Sequence, residues 1–179
     1  KWFPHQNIWD QGHPFSNNAN AAVLKSVWQE SPYDESLTGL EDLDFAKKAL
    51  DAGYKITYVA DSPVVHVHEE TWSIIRNRYR REAMAYARIV EGSELTLRGA
   101  VILALSNIAG DYREAAKARC LRGNVVSIPL FRTAQFIGAW EGFHAPDNVT
   151  ARLLERFYYP ADSAGGEIAP APGTKIVYA

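Results

Sequence analysis

The sequence holds one cysteine, Cys120, among 179 residues. A disulfide framework within the chain is therefore excluded, and a reducing compartment suits it. Long apolar runs are lacking. The best stretch, Gly99 to Gly110, is interrupted by Ser106 and Asn107 and falls short of the roughly 18 residues a membrane span needs. An excess of positive charge is lacking too: the formal net charge is −2. No overall field gathers phosphates, so nucleic acid is not an expected partner. The first twenty residues have neither an apolar core nor a small-residue cleavage pattern, and do not read as a secretory signal. There is no internal repeat.

What remains is ordinary globular material. Hydrophobic residues make up 47%, enough for a core, and the length suits one domain or a domain with an appendage. Residues 1–20 read as loop. Ala19–Gln29 has apolar residues at helical spacing. "SPYDESLTG" is turn chemistry. Leu40–Ala52 places Leu40, Leu43, Ala46, Ala49 and Leu50 on one face, an amphipathic helix closed by Gly53. "YKITYVA" alternates as a strand does, and Pro63–Val65 opens a second extended piece. From Thr71 the pattern is helical: a long helix to Val90, then Leu95–Ile108, Tyr112–Arg122 and one over Ser127–His144. Three regions follow: mixed α/β over 1–70, helical over 71–145, and a Pro/Gly/Ala-rich tail over 146–179.

Two features carry chemistry. Glu41 and Asp42 open the amphipathic helix, where the helix dipole alone favours acids. His66 and His68, two apart on an extended segment, point the same way and can bind a metal with a nearby glutamate. A helix opening on acids, followed by a strand ending in histidine, brings carboxylate and imidazole to one rim of an α/β sheet, where ligand sites gather. Such a rim meets the two needs of sugar transfer: a deprotonated alcohol and a steadied diphosphate.

"SNNANAAVLKSVW", "PYDESLTGLEDLDFAKKALDAGYKI" and "VVHVH" follow one another in the order of a known family. Residues 1–90 resemble the second half of the catalytic domain of family 2 glycosyltransferases, inverting enzymes of the GT-A fold, in their rhamnosyltransferase-like form. "SIPLFRTAQFIGAWEGF" resembles the helical tail that follows that domain. The resemblance implies an α/β chain: a partial GT-A layer with a mostly helical C-terminal extension. It implies Asp42 as the general base on the acceptor hydroxyl, with Glu41 beside it. It implies His66 as a contact to a Mn or Mg ion, with His68 outside that first role. Asn17, Asn18 and Asn20 would touch acceptor or donor, or serve as turn formers and caps. Arg76, Arg78, Arg80 and Arg81 fall where the family has a basic segment over the diphosphate, or form a solvated helix face.

The family's donor-binding half, with its Asp-x-Asp motif, is not found. The only such triplet is Asp42-Leu43-Asp44, inside the base helix. The expectation is an acceptor-side part of a longer cytoplasmic enzyme, at or near the inner face of a membrane, and inactive alone. Its partners would be a nucleotide-sugar donor and a glycan or lipid-linked acceptor, with a homodimer as one way to cover open sheet edges. Two other readings stand beside it. The helices from Thr71 to His144 suit an interaction module, on a protein or a membrane surface. His66, His68 and Glu69 suit a small metal-binding domain.

Overall fold

Helical periodicity in this sequence becomes helix almost everywhere it occurs. A computed structural model describes residues 4–65 and 70–145. Among them a 3-10 turn at Asn18–Asn20 precedes α1 (Lys25–Glu30), α2 (Glu41–Asp51), α3 (Trp72–Ile89), α4 (Leu97–Lys117), α5 (Leu121–Asn124) and α6 (Ser127–Phe143). They lie in one unit, Lys1–Ala145. The expected tail, 146–179, lies outside the described residues, as do His66 and His68.

Helix α2 forms as its spacing predicts. Phe45, Ala46 and Ala49 are buried along one stripe. Its first turn carries Glu41, Asp42 and Asp44 and its last turn Lys48, in keeping with the dipole. Lys47 pairs with Asp51 and Lys48 with Asp44, each one turn apart. Gly53, at φ 86°, takes the left-handed position that ends the helix. Phe45 and Ala49 meet Val27 of α1 in a small core, and Tyr33 packs on it with its ring centroid 5.1 Å from that of Phe45. Burying a side chain such as Phe45 is worth about 1.5–3 kcal/mol.

The second packing region joins α3, α4 and α6. Threonines start two of these helices. Thr71 Oγ1 accepts from the Ile74 amide, and Thr96 Oγ1 from the Gly99 amide at 3.1 Å. Helices α3 and α6 touch through glycine. A Cβ placed on Gly138 would run into the Arg76 carbonyl, and one on Gly142 into the Arg80 carbonyl and the Ala83 methyl. The sequence Gly138-Ala-Trp-Glu-Gly142 sets both glycines on one face, one turn apart. Buried Ala83 keeps the facing side of α3 small as well. Tyr79–Phe131 and Tyr86–Phe143 edge contacts flank the seam.

The α/β expectation is overturned. Among the described residues there is no strand and no sheet, and the fold is helical. Tyr54–Val59 is extended, but its only bridge is the antiparallel pair Ile8–Tyr58. Ile8 and Tyr58 exchange both backbone bonds at 2.9 Å, and the Gln11 amide donates to the Ile56 carbonyl at 3.0 Å. Side chains complete the junction: Thr57 Oγ1 donates to the Trp9 carbonyl, and the Ala60 amide to Asn7 Oδ1. Alternation specifies an extended backbone, and a ladder also needs a neighbour of matching length. The partner here is the polar loop around Ile8, too short to make one.

Two boundaries also move. The helices expected over Leu95–Ile108 and Tyr112–Arg122 merge in α4, which runs through Gly110 to Lys117, and Leu121 and Arg122 fall in α5. A helical glycine costs about 1 kcal/mol, less than breaking a helix with good formers on both sides. The helix expected from Ala19 begins only at Lys25, and Asn17 caps the 3-10 turn before it.

The glycine seam gives a direct test. Gly138→Ala is expected to lower stability by about 3 kcal/mol, because backbone rather than a flexible side chain blocks the added methyl. Urea denaturation reads the change. A loss below about 0.5 kcal/mol would mean that α3 and α6 are not in such close contact.

Candidate active site

Asp42 stands at the second position of α2, behind an unusual turn. Leu40, the residue before the helix, has φ 58°, a left-handed conformation that costs a side-chain-bearing residue roughly 1–2 kcal/mol. The neighbouring loop is anchored to α3 and holds that turn. Thr38 is buried, and its hydroxyl donates to the Arg81 carbonyl at 2.8 Å. The Arg88 guanidinium donates to the Ser36 carbonyl at 3.0 Å and to the Ser36 hydroxyl at 3.2 Å. Asp34 accepts from the Ser36 amide and hydroxyl, and this charge-assisted bonding holds its carboxyl below the usual range.

The Asp42 carboxylate reaches the asparagine turn. Its Oδ2 accepts from the Asn18 amide at 3.1 Å and its Oδ1 from the Leu43 amide at 2.8 Å. Asn18 Oδ1 in turn accepts from the Tyr33 hydroxyl at 3.0 Å. Burial raises the Tyr33 pKa, and the charges of Asp42 and Glu41 raise it further. The phenol is thereby held in its protonated, donating form. Asn17 and Asn20 hold the turn: Asn17 Oδ1 accepts from the Ala19 amide at 2.9 Å, and Asn20 Nδ2 donates to the Ser62 carbonyl at 2.6 Å. Three segments, Asn17–Asn20, Tyr33 and Glu41–Asp42, thus converge on one half-exposed patch with a carboxylate at its centre. Tyr33 had no place in the sequence reading, where it sat inside a turn signal. An aromatic hydroxyl between Pro32 and Asp34 was the available cue.

The arginines lie apart from that patch in their bonding. Arg76 forms a two-pronged ion pair with Glu141 of α6. Arg78 grips Glu70 with two bonds at 2.9 and 3.0 Å, and Glu82 lies at 3.5 Å. Burial raises the Glu82 pKa, while Arg78 opposes that shift. Arg80 is half-buried, with its carbonyl against Gly142. Arg76 and Arg78 therefore tie helices and loops together, a role absent from the sequence reading, which set diphosphate contact beside a solvated helix face.

Among the described residues no group of three or more His, Cys, Asp or Glu is placed to hold a metal ion. The residue named for that role, His66, lies outside them. A cleft of about 530 Å³ opens elsewhere, between Glu70, Trp72 and Arg78 on one side and Asp111, Asn124 and Phe131 on the other. Its charged groups are already engaged, Glu70 with Arg78 and Asp111 with Arg132 at 2.6 and 3.0 Å. No family model, curated protein or solved structure matches the chain.

The Arg76–Glu141 pair predicts a pH effect. The arginine bond lowers the Glu141 pKa, so the folded state favours the carboxylate. Its stabilisation is complete above the ordinary glutamate range and is lost as pH falls through the lowered folded value. Arg76 is 53% exposed, so solvent screening keeps the contribution to about 0.5 kcal/mol. Glu141→Gln is expected to lose that much at neutral pH and nothing in acid. A constant deficit across an acid titration followed by circular dichroism would contradict the assignment.

Proposed function

We propose that this chain supplies the acceptor-side part of an inverting glycosyltransferase of family 2 type, with Asp42 as the catalytic base. One observation carries the reading: the Asp42 carboxylate, Asn18 and Tyr33 share a patch open to solvent, although they come from three separate segments. Family resemblance supports the class of reaction, and the helical fold adds no support to it. The acceptor hydroxyl gives its proton to the Asp42 carboxylate. Its oxygen forms a bond to the anomeric carbon of a nucleoside-diphosphate sugar. The bond from that carbon to the diphosphate oxygen breaks, and the electron pair leaves with the nucleoside diphosphate.

The two backbone N–H groups on Asp42, those of Asn18 and Leu43, fix its orientation. With its O–H given to Asn18 Oδ1, the Tyr33 oxygen is suited to accept from a sugar hydroxyl and Asn18 Nδ2 to donate to one. Glu41, one residue earlier, contacts the acceptor or orients the site. A Mn or Mg ion with His66 as a ligand belongs to the proposal through the resemblance alone, and no step above runs through it.

The test is Asp42→Asn in the complete enzyme that carries these residues. Transfer is expected to fall about 10²–10⁴-fold, the usual contribution of general base catalysis, with donor binding within twofold of the parent. Glu41→Gln is expected to lose less. Undiminished transfer by the Asp42→Asn protein would remove Asp42 as the base.

A further inference from the structure

The outward face of α4 is apolar, bordered by arginine and without an acid. Counting along the helix from Arg98 at steps of three and four gives Ile102, Leu105, Ala109, Arg113 and Ala116, all exposed. Ile102 is 55% and Leu105 62% exposed, whereas Leu97 and Val101 lie beside Ala100 toward Phe136, Ile137 and Trp140 of α6. The opposite side of α4, with buried Ala100 and Ala115, meets α6. The acids of α4 are turned away from the outward face. Asp111 is bonded to Arg132 of α6, and Glu114 pairs with Lys117. Next to the C-terminal half of α4, Val125 and Val126 stand exposed, and the Tyr112 hydroxyl donates to the Val125 carbonyl. Arg119 and Arg122 are exposed in the same connection.

Charge is divided along the chain in the same sense. Residues 95–145 carry six Lys and Arg against three Asp and Glu, whereas residues 4–65 carry four against nine. Among the described helices none is long and apolar enough to cross a bilayer. A surface of this kind, apolar at the centre and cationic at both ends, matches the interface of an anionic membrane: the apolar side chains reach the acyl boundary while the guanidiniums meet headgroup phosphates. A second copy of the same face would set Arg98 and Arg113 against like charges, which disfavours self-association.

We propose that α4 docks the protein on an anionic lipid bilayer, lying in the plane of the interface with Ile102 and Leu105 inserted. The inference does not rest on the transferase reading. The test is flotation of the whole chain with vesicles of phosphatidylcholine alone and of phosphatidylcholine mixed with phosphatidylglycerol, whose anionic headgroups give the surface a negative potential. Binding is expected to the anionic vesicles and to weaken with added salt. Ile102→Gln with Leu105→Gln is expected to cut the bound fraction roughly fivefold. Arg98→Gln with Arg113→Gln, which leaves the apolar centre intact, is expected to cut it roughly threefold. Four results would overturn the proposal: no binding; equal binding to neutral vesicles; binding that survives both pairs of substitutions; or a dimer in light scattering that the Gln pair disperses.

Discussion

The closeness of α3 and α6 is the constraint on which the other placements depend. Backbone carbonyls of Arg76 and Arg80 lie where side chains on Gly138 and Gly142 would have to be. Close-packed interiors do not absorb an added methyl when the obstacle is main chain. Helix α3 then carries outward on both sides. Toward the N-terminal region, its Arg81 carbonyl and Arg88 guanidinium hold Thr38 and Ser36, and so the left-handed turn at Leu40 that presents Asp42. Toward the C-terminal region, α6 carries α4. The candidate site and the apolar face are thus both supported from one helix, although neither touches the glycine seam.

Much of this was legible in the sequence because helices are local. The stripe of Leu43, Ala46, Ala49 and Leu50 and the glycine after it gave α2 within a residue or two, and α3 and α6 were equally plain. The failures share a cause. The alternating segment after Tyr54 specifies its own extended backbone but carries no information about a partner strand, and the segment that meets it is a loop. Gly110 looked like an end because its own propensity is poor, yet the cost of one glycine is small beside a helix that continues on both sides. Arg76 read as a solvated or phosphate-facing residue because its partner, Glu141, is 65 positions away. No spacing rule reaches that far.

The candidate site shows the same division. Glu41 and Asp42 were visible as acids opening a helix, and the asparagines as a polar turn. What spacing could not supply was their meeting: the Asn18 amide on the Asp42 carboxylate, with Tyr33 on the other side of Asn18. That meeting is also what gives the acids a use beyond the helix dipole. A carboxylate needed only for the dipole would point along the helix axis at its own amides. Asp42 does so with one oxygen, at Leu43, and turns the other to a separate segment. The function proposed for it therefore stands on this convergence and on family resemblance, and no longer on the rim of a sheet.

The segregation of charge bears on how such a site would work at a surface. An anionic bilayer would attract the arginines of α4 and repel the acidic stretch that contains Asp42. Both effects act within a Debye length, about 8–10 Å at physiological salt. Opposite charge balance in two parts of one chain would therefore bias its orientation as well as its concentration at such a surface.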